Sequence, residues 1–518
     1  PGPAPLDIAR PLRPAGASAG ATDAPRRAPA LRAARLPAPW RALAILALAA
    51  AGGAVLYLLR PGALTDDSYA FLDWGRDLRH GILPLLEGRT FHPLPVLAGS
   101  AISLLGSAAP TAAVLLSEAA LVLLALAAWR VVELLGFGQP APLLAAMLAI
   151  SSPLLSLLAQ VGYVNLPFAT LLMCALACEL EDRRWGAWAF LIVAGLVRPE
   201  GWAFLVAYGA LSWWRAGRPR APSRLLALAA LSLAPMAIWL ALEWQLFGTP
   251  LYSFTNTRAP AVEATGSGSL SGLWRQLQFA IVIPVLIAAG VGIVAVVRFV
   301  PPRRAVPVLG MTLVAVLTLA VLASSKFNVP SRHFSVLASL AYVLAGAAAG
   351  VPARLIGRIR SLPPPTPLAV GLCGAALVAS FAVAPTVRLL RRNHKTVSLS
   401  YEQHKTLDQA LTRVLRFVDV RPAVRHSVAL VGVVDDSETV WSLHVPYDAV
   451  SGEVGARTRL IVEPSPKAYS KLGKLGLNSA RPHVVPRPGW HRGLITRDWD
   501  MWIPDGPQPV QLGPPTAR

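Results

Sequence analysis

The feature that most constrains this chain is a succession of apolar blocks, many of fifteen residues or more, between about residues 43 and 385. A helix needs roughly 20 apolar residues, at about 1.5 Å each, to cross a hydrocarbon core of about 30 Å. Repeated blocks of this kind predict an all-α polytopic membrane protein. Charge agrees: Asp, Glu, Lys and Arg make up 14% of the 518 residues, against roughly 25% in soluble domains. The formal charge of +21 would suggest nucleic acid in a soluble protein. Here many Arg residues punctuate apolar blocks, where they orient helices in a bilayer, so no nucleic-acid partner is expected. Other basic residues lie in the C-terminal segment and suit anionic lipid or glycan.

Residues 1–39 are rich in Pro, Ala and Arg without periodicity and read as a disordered basic cytoplasmic arm. The block Leu43–Leu59 follows many Arg residues and has no clear small-residue cleavage site before Arg60. It reads as a signal anchor with the N-terminus cytoplasmic. The next block, Leu94–Leu105, has only 12 residues, about 18 Å of helix. If it crossed, the basic loops at 215–224, 303–304 and 354–360 would all be external. If it lies in the interface, they are cytoplasmic. The positive-inside bias selects the second arrangement, and residues 61–110 become one large external loop with juxtamembrane helices.

The remaining blocks alternate at 112–135, 141–158, 164–180, 186–197, 201–214, 225–247, 276–299, 306–324, 334–352 and 366–385, about eleven transmembrane helices in all. Three are short, which implies tilted or broken helices facing protein or water. The odd count puts residues 386–518 outside. Within them, 401–418 has helical periodicity, and 426–434 and 458–463 read as strands. A small extracytoplasmic α/β domain is expected there, after a transmembrane domain at 40–385. Cys174, Cys178 and Cys373 sit inside apolar blocks, so neither a disulfide framework nor a zinc site is expected.

The first external loop opens with Asp66-Asp67 and closes on His92-Pro93, with Tyr69, Phe71, Trp74, Arg76, Arg79 and His80 between them. The two carboxylates either cap a helix beginning at Ser68 or carry chemistry. The topology brings three more polar clusters to the same face: Arg198-Pro199-Glu200-Gly201, the segment Lys326–His333 (KFNVPSRH), and the loop 249–258 with Tyr252, Asn256 and Arg258. The first can be a hairpin turn with Arg198 snorkelling to the headgroups. Alternatively, Arg198 holds a lipid-linked phosphate, or Glu200 orients another cation. Lys326, Arg332 and His333 run against the positive-inside bias, which calls for an anionic ligand or for headgroup contact. Tyr163 and Asn165, at another external turn, either add hydrogen bonds to the site or sit in the interface belt, the commoner role.

A carboxylate that takes a proton from an acceptor hydroxyl, opposite cations that stabilise a leaving phosphate, suits transfer from a phosphate-linked donor. The leaving group stays in the membrane if the phosphate carries a polyprenyl tail. No Gly-rich phosphate loop after a strand is present to serve a soluble nucleotide sugar.

The acidic pair after the first span, the His-Pro before a short interfacial helix, the RPEG turn and the SRH segment heading a late span resemble the GT-C superfamily over roughly residues 40–385. These are integral-membrane glycosyltransferases using polyprenyl-phosphate sugars. They include protein O-mannosyltransferases, lipid A aminoarabinose transferases and actinobacterial arabinofuranosyl- and mannosyltransferases. The resemblance implies an inverting hexosyl or pentosyl transferase of the plasma (inner) membrane, acting on the cell envelope. Asp66 would be the general base, and Asp67 its neighbour or a metal or sugar contact. Arg198, Lys326, Arg332 and His333 would hold the donor phosphate; His92, Glu200, Tyr69 and Arg258 would contact substrate. The second proline usual after the His-Pro is Leu94 here, and no Lys follows as in the aminoarabinose enzymes.

The resemblance fixes no cofactor and leaves a divalent cation at the acidic pair open. The expected partners are a polyprenyl-phosphate sugar donor, a glycan, lipid or protein acceptor, and membrane lipids. The competing class is a transporter or flippase for a lipid-linked glycan or anionic solute, with the same charges lining a path. The lack of a clear inverted repeat and the asymmetric external loop count against it.

Overall fold

The computed structural model describes residues 38–81, 90–216, 222–256, 270–324, 330–356 and 366–417, together with five strands between 428 and 504. Helix α1 (Ala38–Leu59) is followed by a short link and α2 (Asp66–Arg79). Helix α3 (Pro93–Ile102) opens on proline, whose fixed φ and missing N–H suit a first turn. A 3-10 turn, Ser103–Ala108, joins it to α4 (Ala109–Leu134). Within that turn Gly106 has φ 57° and ψ −130°, backbone that a side chain disfavours, so α3 and α4 do not run on as one helix.

Helices α2 and α3 meet backbone to backbone. A Cβ on Gly75 would strike the Ser100 nitrogen, and one on Gly99 the Phe71 carbonyl. Leu64, Tyr69, Leu72, Ala109 and Val114 form one buried cluster, with Ile102 packed on it. The chain therefore leaves α1 and enters α4 at the same end of the bundle. Helix α3 does not carry it across.

Beyond α4 come α5 (Ala141–Ile150) and α6 (Pro153–Gln160), bent by 49°. Then follow α7 (Asn165–Leu180), α8 (Arg184–Val197), α9 (Gly201–Arg215) and α10 (Pro222–Phe247). After the short α11 (Tyr252–Asn256), α12 (Leu270–Ala280) and α13 (Ile283–Phe299) meet at 86°. Helix α14 (Pro302–Ser324), a 3-10 turn at Ser331–Phe334, α15 (Ser335–Ala349), α16 (Val351–Ile356) and α17 (Thr366–Phe417) complete the helices. Every residue of α15 except Leu337 is buried, and its many small residues let neighbouring helices approach closely. Its Tyr342 hydroxyl donates to Ser152 Oγ at 2.7 Å, at the α5–α6 bend, so a buried polar group keeps a partner.

By length and composition, six described helices can cross a membrane: Trp40–Leu59, Pro93–Leu134 (broken at Gly106), Leu225–Phe247, Pro302–Ser324, Ser331–Ile356 and Ala369–Lys395. Counting each bent pair as one span makes eight. The expected eleven are not reached on this measure, because α7, α8 and α9 have 16, 14 and 15 residues. They extend about 21–24 Å, less than the hydrocarbon core.

One end of the bundle is laced by ion pairs. Arg130 pairs with Glu133 and Glu181 at 2.6 and 2.7 Å, Arg303 with Asp182 at 2.6 Å, and Arg215 with Glu179. Arg354 donates to the carbonyls of Leu135, Gly136 and Phe299, at the C-termini of α4 and α13, where a cation suits the helix dipole. The starts of α4, α7, α9 and α13 lie at the opposite end, which is where Asp67, Asn165 and Arg198 gather.

Helix α17 has 52 residues and passes position 385 unbroken, so the boundary expected there is not a break in the backbone. Beyond it, β1 (Val428–Leu430), β2 (Val450–Ser451), β3 (Leu460–Pro464), β4 (Trp490–Ile495) and β5 (Trp499–Pro504) form one sheet in the order β2-β1-β3-β5-β4. Strand β1 runs parallel to β2 and β3, and β5 is antiparallel to β3 and β4. The basic arm, up to residue 37, lies outside the described residues.

Candidate functional site

Asp66 and Asp67 are the first two residues of α2, which starts two positions before the expected Ser68. The N-cap is Thr65, with no side-chain cap bond, so neither carboxylate is the cap. The link is fixed to the turn after α6: Thr65 N–H donates to the Val161 carbonyl at 3.4 Å and the Ser68 hydroxyl to the same oxygen at 2.9 Å. Asp67 Oδ2 accepts a hydrogen bond from Arg332 Nη1 at 2.5 Å. The Arg332 guanidinium also stands 5.0 Å from the centre of the Tyr163 ring, a cation–π distance. The Asp66 side chain, Lys326 and Arg258 lie outside the described residues.

Helix α8 stops at Val197 because the residue before a proline is pushed to extended backbone, and Arg198 has φ −147° and ψ 140°. Arg198 is 8% exposed, so it does not snorkel. Its Nε and Nη2 donate to the two oxygens of Glu200 at 3.1 and 2.7 Å, and Nη1 donates to Asn165 Oδ1 at 2.8 Å. This is the forked geometry a guanidinium makes with a carboxylate. His333 Nδ1 lies 3.2 Å from Glu200 Oε1 and 3.4 Å from Arg198 Nη2. Burial alone would raise the Glu200 carboxyl. The Arg198 charge and the His333 hydrogen bond outweigh it and hold Glu200 well below the usual carboxylate range. Asn165 completes the link, donating from Nδ2 to the Arg332 carbonyl at 3.0 Å. Of its two readings, interface belt or hydrogen bonding at the site, Asn165 takes the second: it is 2% exposed and bridges both arginines.

His92 is the N-cap of α3 and is buried. Its Nδ1–H donates to the Val197 carbonyl at 2.8 Å, and its ring packs edge-on to Phe71 and Trp239. Burial, and then the Arg198 charge, lower its pKa to about 3, so the imidazole is neutral. It pins the start of α3 to the residue before Arg198. Tyr69 packs with Leu64 and Leu72. Neither His92 nor Tyr69 lines the cleft described next.

The sequence reading missed a brace behind His92. Glu243 on α10, fully buried, accepts Trp239 Nε1–H at 2.9 Å and Ser253 N–H at 3.4 Å. Ser253 Oγ accepts Phe91 N–H at 2.8 Å. A carboxylate inside an apolar block was the available signal.

A small cleft opens among α7, α9, α14 and α15. Asn165, Arg198, Glu200, His333 and Ser335 form its polar head; Phe168, Phe204, Leu319 and Leu322 form part of its apolar wall. Among the described residues, no group of three or more His, Cys, Asp or Glu could hold a metal ion, and Asp67 is engaged by Arg332.

Among solved structures, the chain is similar to ArnT from Cupriavidus metallidurans bound to undecaprenyl phosphate, with 15% identity, TM-score 0.51, and coverage of 90% of this chain and 98% of that one. It is also similar to the arabinofuranosyltransferase AftD from mycobacteria, with 16% identity, TM-score 0.52, and coverage of 91% of this chain but 40% of that one. At these identities the likeness is one of fold. No protein-family model matches the sequence, and no curated protein does.

Proposed function

We propose that this chain, whose fold is that of the GT-C membrane glycosyltransferases, moves a sugar from a polyprenyl-phosphate donor to a hydroxyl of a glycan, lipid or protein. The observation that carries this reading is the cleft. A buried head of Arg198, Glu200 and His333 sits on an apolar wall, tied through Asn165 to Arg332 and so to the acidic start of α2. An amphiphilic phosphate matches that division: phosphate at the head, polyprenyl tail along α14 and α15. The solved ArnT complex holds undecaprenyl phosphate, which supports a donor of this class.

In the reaction, the acceptor oxygen attacks the anomeric carbon while the bond from that carbon to the phosphate oxygen breaks. The electron pair leaves with the polyprenyl phosphate, and the acceptor proton passes to Asp66. A single displacement inverts the anomeric configuration. Asp67, with Oδ2 on Arg332, holds that cation in place and leaves the proton to Asp66. Arg198, Arg332, His333 and Lys326 stabilise the charge that grows on the leaving phosphate, and Glu200 keeps the Arg198 fork oriented. Arg258 contacts substrate. The ion-paired, Arg-rich end of the bundle is cytoplasmic by the positive-inside bias, so the N-terminus is inside and the cleft and the C-terminal strands face out from the plasma membrane.

Membranes supplied with a radiolabelled polyprenyl-phosphate sugar test the reading. Label is expected on a glycan, lipid or protein acceptor and is expected to vanish with Asp66→Asn. Undiminished transfer by that variant would remove the mechanism, and vesicle uptake without covalent product would make the chain a transporter.

A further inference from the structure

We infer that the outer face of α17 is a binding surface for an anionic phospholipid, with acyl chains lying along its lower half and the phosphate on a cationic stripe above. The inference rests on the membrane placement of the helices, not on sugar transfer. Two observations locate the helix. Gly371 lies against Pro140 and Ala353, at the ion-paired end of the bundle, while Asn393 Nδ2 donates to the Pro153 carbonyl at 3.0 Å. At about 1.5 Å per residue, Arg388 to Lys395 stand roughly 26–36 Å from Gly371, the level of the far headgroup layer.

The helix divides cleanly into two faces. Val378, Ala379, Ala382, Leu389, Asn393 and Val397 turn inward and pack on the bundle or are buried. Opposite them, positions 377, 381, 384, 388, 391 and 395 follow one another at spacings of four and three, a single helical stripe. Its lower members are apolar and open, Leu377 at 60% and Phe381 at 64% exposed. Its upper members, Arg388, Arg391 and Lys395, are exposed cations. Bilayer insertion does not ask for three cations at this end, since the positive-inside bias works against them. A lipid phosphate above its own acyl chains accounts for both halves of the stripe.

The test uses the full-length protein in nanodiscs of phosphatidylcholine with or without phosphatidylglycerol, read by native mass spectrometry for retained lipid. Each cation near the headgroups contributes about five-fold to affinity, so Arg388→Gln/Arg391→Gln/Lys395→Gln should weaken retained phosphatidylglycerol by on the order of 100-fold. The charge-preserving Arg388→Lys/Arg391→Lys variant should keep it, and high salt should strip it from the wild-type chain. Equal retention by the Gln variant, or no preference for phosphatidylglycerol in the wild type, would overturn the assignment. So would full competition by inorganic phosphate, which would mean that the stripe reads phosphate and not lipid. Should the Gln variant fail to fold, the wild-type lipid preference and its salt dependence still decide.

Discussion

Arg332 Nη1 and Asp67 Oδ2 meet at 2.5 Å although the residues are 265 positions apart. The contact joins the head of the last buried span to the first turn after α1. Both side chains are about a third exposed, at 33% and 34%, so solvent screening limits the pair to at most about 1 kcal/mol of stability. Arg332→Gln is therefore expected to leave the thermal midpoint nearly unchanged. It should lower the transfer rate by about 100-fold, because it releases the acidic turn from its position. Melting curves alongside transfer kinetics check the separation; parallel losses in both would make the pair structural.

The Arg198–Glu200 pair behaves differently because both members are nearly enclosed, at 10% and 13% side-chain exposure. Removing one partner of a buried pair strands the other and costs about 3–5 kcal/mol. Glu200→Gln and Arg198→Gln should each destabilise on that scale, and the double variant by less than their sum. A double-mutant cycle by denaturant or thermal unfolding measures the coupling; strict additivity would contradict the geometry.

A second enclosed pair supports the acidic turn from below. Arg60 Nη2 donates to Glu118 Oε2 at 3.0 Å, and Nη1 donates to the Ser156 hydroxyl. Glu118 is fully buried. Glu118→Ala should cost about 3 kcal/mol, and adding Arg60→Leu should recover much of it by removing the stranded charge. Stability of the single and double variants in detergent gives the comparison.

His92 gives the pH dependence a sign. Its pKa falls from 6.5 to about 3 on folding, so between those values the unfolded chain binds a proton that the folded chain does not. Stability from this group is complete above about pH 6.5 and declines as pH falls towards 3, by on the order of 1 kcal/mol per pH unit. His92→Gln should flatten that part of the stability–pH curve. Glu200, held low by Arg198 and His333, stays ionised across the same window, so the Arg198 pair should not contribute to the slope above about pH 4.5.

What the sequence made legible was local. Charged and helix-breaking residues at the ends of apolar runs marked Arg198-Pro199-Glu200 and the SRH segment, and the 12-residue block after His92 was too short to cross. Partnership was not legible, since nothing in a linear chain says that Arg332 meets Asp67 or that Asn165 ties two arginines together. Asn165 opens a helix at an external turn, where an Asn looks like an ordinary interface group. The acidic pair could be read as a cap or as catalytic, because Asp is favoured at helix starts, and the helix begins on the pair itself. The count of eleven is reached only when α7, α8 and α9, at 14 to 16 residues, are counted beside the longer helices. Tyr69 and His92 stood out in an aromatic, charged loop, and their burial against Leu64, Leu72, Phe71 and Trp239 was not legible there.

The most direct test of the central claim is a structure of the full-length protein with polyprenyl phosphate bound. The account predicts phosphorus within hydrogen-bonding reach of Arg198 or Arg332, with the first isoprenyl units against Leu319 and Leu322. Phosphate density elsewhere, with the Arg198–Glu200–His333 head of the cleft empty, would contradict it.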